Sequence, residues 1–228
     1  MSKELARVLV ECVPNHESQC KLALEEASKY CDEQGVGELV LIVPTLQSAL
    51  GTVVAQVLGQ EATKALLLRK SIALRNSGAR LSMLPAAKAA HATHGSILVC
   101  VHLASSDIAK VDDILSPVAI VYCPWTEDEG KRWLRTWQPV VWGAQTWQVA
   151  PFNLHPDVEA ALQTIHATVN VPSNLLHAAD KELVTNTFKA LRKKGRVLDA
   201  GDIHIWALRN GWTHTGAGAL AKVAKRYE

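Results

Sequence analysis

The sequence predicts an α/β fold: a Rossmann-like, mostly parallel sheet of five or six strands with helices on both faces, followed by a small all-α domain. Three observations predict it. Short apolar runs alternate with helical segments through about the first 150 residues, and such alternation builds strand–helix–strand units. Those runs are apolar throughout rather than at every second position, as in strands buried on both faces. Beyond about residue 156 the β-branched runs stop, and apolar residues recur at helical spacing instead. The boundaries expected are 1–150 for the α/β domain, 151–156 (PFNLHP) for a linker and 157–228 for the helical domain.

Arg7–Val13 is the first strand, closed by Pro14. A helix follows from about Glu17, with Cys20, Ala23, Leu24, Ala27, Tyr30 and Cys31 on one stripe, and Gly35 and Gly37 end it. Glu38–Val43 is the second strand, closed by Pro44. Thr45 caps a helix that runs to about Leu58, and a further helix covers about Ala62–Asn76. Ala79–Leu84, closed by Pro85, is the third strand. Ser96–Leu103 is the fourth. Ser105 or Ser106 starts a helix through Leu115. Val118–Cys123 is the fifth strand, closed by Pro124, and proline punctuates because it cannot donate to the ladder. Thr126 and Glu129 form a capping box for a helix through Trp137. Val140–Trp142 is a short sixth strand. In the helical half, Asp157–Val169 and Asp180–Lys194 are helices. Asp199 caps a third, with Asp202 at the capping-box position, and Asn210-Gly211 stops it. Thr213 or Thr215 starts the last, which reaches about Arg226.

Composition excludes several classes. Nearly half the residues are apolar and a fifth are charged, so the chain supports a core and is not disordered. Nothing in MSKELARVLVE resembles a signal peptide, and no apolar run approaches the roughly 20 residues of a membrane span. The five cysteines are odd in number and lie in apolar patterns, as reduced packing residues do. A cytoplasmic protein with no membrane association is expected. The net charge is +2. Residues 1–150 carry 14 Lys/Arg against 15 Asp/Glu and residues 151–228 carry 10 against 7, so the basic surplus is C-terminal.

No Walker motif, GxGxxG turn, GxSxG elbow, CxxC or HExxH is present, and no cofactor is expected. An open parallel sheet binds ligands outside the carboxyl ends of its strands. That rule nominates a rim of Asn15, Thr45, Ser48, Ser105, Ser106 and Thr126, with Trp125 beside it. Helix N-termini there suit a small anionic ligand; equally, these residues are ordinary helix caps. His102, His16 and Asp107 are the catalytic candidates, with His102 as general base. His91 and His94 are spaced to share an ion, but no acidic or cysteine partner is near, so no metal is assigned. Cys12, Cys100 and Cys123 fall at three strand ends, where they either pack or cluster near the rim.

Two further features bear on partners. Trp125, Trp133, Trp137, Trp142 and Trp147 crowd into one stretch, with Arg132 and Arg135 interleaved, a pattern that suits either packing or an interface. The C-terminal helices, joined through Asn210-Gly211-Trp212-Thr213, are similar to helix-turn-helix modules in general. Lys193, Lys194, Arg196, Thr213, Thr215, Lys222 and Lys225 are the expected contacts to nucleic acid or a protein partner. Against DNA, the last helix begins with small, weakly charged residues, and basic residues near a helix C-terminus also follow from its dipole.

Three functions are therefore expected in turn. The first is a binding or regulatory protein, whose α/β domain takes a small anionic ligand or a partner and whose basic helices contact nucleic acid or protein. The second is a small hydrolase or transferase of a phosphorylated or nucleotide-like substrate. The third is an oligomeric scaffold, such as a homodimer, built on the tryptophan segment.

Overall fold

The computed structural model describes residues 5–47, 49–74, 77–144, 146–175 and 177–228. Ser48 and Asn76, both named above, lie outside the described residues. Backbone contacts divide the chain into two compact units that part between Val149 and Ala150.

The first unit contains β1 (Ala6–Val10), α1 (His16–Gln34), β2 (Glu38–Val43), α2 (Val53–Leu58), α3 (Gln60–Leu67), β3 (Ile72–Ala73) and β4 (Arg80–Pro85). It continues through β5 (Ile97–Val101), α4 (Ser105–Asp112), β6 (Ala119–Cys123), α5 (Glu127–Trp137) and β7 (Val140–Trp142). The strands form one seven-stranded sheet in the order β3-β4-β2-β5-β6-β1-β7. Every pairing is parallel except that of β3 with β4. A mostly parallel sheet flanked by helices is consistent with the Rossmann-like class.

Alternation along the strands sorts the core into two layers. Val8, Val10, Leu39, Leu41, Val99 and Val121 pack against α1, α2 and α3. Their neighbours Leu9, Val40, Ile42, Leu98, Ile120 and Tyr122 pack against the 3-10 turn at Ala86–His91, α4 and Trp133 of α5. The chain thus leaves β1 and β2 on one face of the sheet, and β5 and β6 on the other. Adjacent strands therefore send the chain to opposite faces between β2 and β5, and again between β6 and β1.

Several boundaries differ from the sequence reading. Thr45 caps no helix: a 3-10 turn spans Ala49–Gly51 and α2 begins only after Thr52. Glycine is a poor helix former, and Gly51 falls inside the expected helix. The helix expected to reach Asn76 ends at Leu67, and Arg69 turns left-handed at φ 58°. The two residues of β3 then add an antiparallel edge strand beside β4, too short to show a period of its own. Ala104, not a serine, is the N-cap of α4, which stops at Asp112 and leaves Leu115 exposed. Around α5 the expected capping box is present, with Thr126 Oγ1 accepting from Glu129 N at 3.3 Å.

The second unit contains α6 (Pro156–Thr168), α7 (Ala178–Lys193), α8 (Ala200–Arg209) and α9 (His214–Ala224). Leu162, Phe188, Ile203, Trp206 and Leu220 are buried in it. Asp199 caps α8 by accepting from Asp202 N at 2.7 Å, and Thr213 caps α9 by accepting from Gly216 N at 3.1 Å. The connection between α8 and α9 turns at Gly211, whose φ of 80° suits glycine. Trp212 is buried there and donates from Nε1 to His166 Nδ1 at 3.0 Å.

One buried charge ties α4 and α5 to the sheet. The Asp112 carboxylate, 1% exposed, accepts from Trp133 Nε1 at 2.7 Å, Trp137 Nε1 at 3.1 Å and Arg7 Nε at 3.3 Å. The Arg7 guanidinium also lies 3.5 Å above the Trp137 ring. Removing one partner from such a buried group costs about 3–5 kcal/mol, because the others stay desolvated and unpaired. Asp112→Ala should therefore lower the urea unfolding free energy by about 3–5 kcal/mol. Asp107→Ala, which breaks a surface pair with Lys110, should cost less than about 1 kcal/mol. Equal losses would show that the Asp112 cluster contributes no more than a surface contact.

Candidate functional site

A cavity of about 400 Å³ opens at the carboxyl ends of the strands, where β2 and β5 send the chain to opposite faces. Val43 and Pro44 at the end of β2 line it, with Val101 and His102 at the end of β5. His16 enters from the first turn of α1, and Trp125 from the connection after β6. Ala49, Gly51, Thr52, Val53, Val54 and Gln56 complete a mainly apolar wall. A cavity at such a reversal, apolar with a few polar groups, is the usual setting for a small ligand.

The polar groups are placed by local structure. Asn15 caps α1, its Oδ1 accepting from Glu17 N at 3.0 Å and Ser18 N at 3.2 Å. That cap sets His16 in the first turn and brings Gln19 under it. His102 continues the ladder, donating its backbone N–H to Cys123 O at 2.9 Å, but its φ is 53°. A left-handed residue with a Cβ costs roughly 1–2 kcal/mol, and here that conformation turns the imidazole out of the strand into the cavity wall.

His16, His102 and Trp125 form one aromatic cluster. His16 stacks on Trp125 with centroids 4.3 Å apart and planes 13° apart. His102 meets His16 edge-on at 4.8 Å and Trp125 edge-on at 4.7 Å. Gln19, 1% exposed, lies beneath the pair. Its Nε2 donates to Pro124 O at 3.1 Å. A carbonyl can only accept, so this bond fixes which end of the amide is which. Gln19 Oε1 then faces His102 Nε2 at 3.3 Å and His16 Nδ1 at 3.4 Å. An amide oxygen only accepts, so both of these ring nitrogens must carry the proton. Neutral His16 is left with Nε2 as an acceptor, and neutral His102 with Nδ1. Burial, and secondly the nearby His16, pushes the pKa of His102 down to about 4, so its ring is neutral near pH 7.

Of the residues nominated from sequence, His16 and His102 line the cavity. Asn15 and Thr126 act as helix caps. Thr45, Ser105 and Ser106 are exposed and outside the lining, and Ser48 is not among the described residues. Asp107 bonds Lys110 at 2.9 Å and does not join the histidines. Gln19 was missed. Its signal was a polar side chain four residues before Ala23 and eight before Ala27, both on the buried stripe of α1.

The cysteines do not cluster. Cys100 pairs in register with Tyr122, and Cys123 with Val101, so the two thiols lie on opposite faces of the sheet. Burial pushes both thiols well above their ordinary pKa, which suits packing. Cys12 lies nearer the rim, 3.9 Å from Trp125 O, with its pKa raised by burial and then by Glu127 and Glu129. Among the described residues no group of three or more His, Cys, Asp or Glu could hold a metal ion. No helix among them is long and apolar enough to cross a membrane.

Most of the tryptophans are engaged in packing. Trp133 is buried, Trp137 bonds Asp112, and Trp142 meets Tyr30 edge-on at 6.5 Å. Gly130 leaves no room for a Cβ because Trp147 packs against it. Trp125 is 54% exposed. In the helical unit Lys193, Lys194, Thr215, Lys222 and Lys225 are exposed. Arg196 pairs with Asp157 at 2.7 Å. Thr213 is occupied as a cap and also donates to Asn174 Oδ1.

Residues 154–228 match the model of a family described as a domain of unknown function, DUF1889. That match covers α6 to α9 and none of the α/β unit. No curated protein and no solved structure matches the chain.

The depressed pKa of His102 has a sign. The folded value, about 4, lies below the ordinary value of 6.5. Between these values the unfolded chain takes up a proton that the folded chain refuses, so stability should fall as pH drops from about 6.5 to 4. His102→Asn, which tolerates a left-handed backbone, should flatten that slope in urea titrations at pH 7.5, 6 and 4.5. An unchanged slope would mean that His102 is not the group held neutral.

Proposed function

We propose that this protein is a binding or regulatory protein, whose α/β unit takes up a small molecule in the strand-end cavity. The observation that carries the reading is the convergence of His16, His102 and Trp125 on one mainly apolar cavity at a reversal of the sheet, with Gln19 buried behind the two histidines. The helical unit is the module that contacts nucleic acid or a protein partner. Its exposed lysines and the helix-turn-helix-like pairing of α8 with α9 support this. A cytoplasmic location is part of the same proposal.

A second reading rests on one specific feature. His102 is held neutral by burial and has one ring nitrogen uncommitted among the described residues, as a general base requires. A small hydrolase or transferase would use it. Asp107 would take no part, because it faces Lys110.

The test is a fragment screen by protein NMR on the full chain, with a labelled DNA duplex added separately at low and moderate salt. Fragments should shift the signals of His16, His102 and Trp125, and Val53→Trp, which fills the cavity, should remove those shifts. Hits confined to other surfaces, or none, would overturn the cavity reading. Duplex binding that weakens steeply with salt supports phosphate contact by the lysines. No binding at low salt leaves a protein as the partner of the helices.

A further inference from the structure

The cavity carries more information than its position. Both imidazoles are oriented by the same buried amide, and that amide is itself oriented by the Pro124 carbonyl. Each link permits one direction of donation. The chain of bonds runs from His16 Nδ1–H and His102 Nε2–H into Gln19 Oε1, and from Gln19 Nε2–H into Pro124 O. On two residues that line the cavity this leaves a pair of acceptors, Nε2 of neutral His16 and Nδ1 of neutral His102. Among the described residues neither nitrogen has a hydrogen-bond partner in the protein.

We infer that the cavity takes a neutral molecule with an apolar body and two hydrogen-bond donors, such as hydroxyl or N–H groups, received by His16 Nε2 and His102 Nδ1. This deepens the proposal that the cavity is a binding site and rests on it. The ring centroids are 4.8 Å apart, so donors on one small ring can reach both nitrogens. Most of the rest of the wall is apolar, with Val43, Ala49, Val53, Val54 and Val101, which suits an apolar body; Thr52 and Gln56 are the other uncharged polar side chains among the described lining residues. No Lys or Arg is among the described residues that line the cavity. Among the described lining residues the charge of an anion could then be neutralised only by protonating an imidazole, and burial opposes that at His102. The small anionic ligand expected from the rim of helix N-termini gives way to a neutral donor, since the described rim residues Thr45, Ser105, Ser106 and Thr126 do not line the cavity.

The experiment uses three probes on the same benzene ring: resorcinol, with two donors; 1,3-dimethoxybenzene, with none; and isophthalate, an anion. Each is titrated into the full chain at pH 7.5 while the histidine side-chain signals are followed. Resorcinol should shift both His16 and His102 and bind at least about ten-fold more tightly than either other probe, since an acceptor buried without its donor costs about 1–3 kcal/mol. Val53→Trp should abolish the shifts. If isophthalate or the dimethyl ether shifts the two histidines as strongly as resorcinol, the inference fails while the cavity reading stands. If resorcinol shifts neither histidine, the inference also fails; if in addition no fragment of the general screen reaches the cavity, both readings fail.

Discussion

The central strands β2, β5 and β6 are buried on both faces, with Leu39–Val43, Ile97–Val101 and Ala119–Cys123 all inaccessible. This constraint shapes the rest of the α/β unit. A strand covered by helices above and below has no place along its length for an unpaired polar side chain. Polar chemistry is therefore pushed to the strand ends. Which end, and between which strands, follows from the path of the chain: β2 leaves towards α2 and β5 leaves towards α4, and the gap between those departures is the cavity.

Gln19 gives that gap its chemical character. It is a buried amide on an otherwise apolar stripe, and burial of an amide is tolerated only when its hydrogen bonds are made. Its partners are the Pro124 carbonyl and two imidazoles, so one side chain ties α1 to the ends of β5 and β6. The left-handed backbone of His102 is held by the bond to Cys123 O and places its ring within reach of Gln19. Strain of this kind persists where the surroundings over-determine it. Asp112 plays a comparable part on the opposite face. It gathers Trp133, Trp137 and Arg7 around one carboxylate and fixes α4 and α5 against β1.

Much of this was legible in the sequence. The strands Glu38–Val43 and Val140–Trp142, the Thr126–Glu129 capping box and the caps Asp199 and Thr213 follow from local chemistry, and local chemistry is what one sequence displays. The rule that ligands gather at strand ends led to His16 and His102. What stayed hidden depends on pairing. Strand order decides which departures are adjacent, and register decides that Cys100 and Cys123 face opposite ways. The edge strand β3 exists only because β4 is beside it. Gln19 was visible as a polar residue on a buried stripe, but its partners lie 83 and 105 residues away along the chain, beyond the reach of any periodicity. The tryptophan segment left a choice that its sequence did not decide: its crowding suited either packing or an interface, and Trp133 and Trp137 turn inward to a single aspartate.

The most direct test of this account is the tautomeric state of the two cavity histidines, read from the imidazole ¹⁵N shifts of the full-length protein near pH 7.5. The orientation of Gln19 requires His16 protonated at Nδ1 and His102 protonated at Nε2, and burial leaves His102 Nδ1 bare. Gln19→Leu, which removes the shared acceptor, should release both rings towards a tautomer mixture. Finding His102 protonated only at Nδ1 in the wild-type protein would contradict the account, because Gln19 would then not orient the ring and the proposed acceptor pair would not exist.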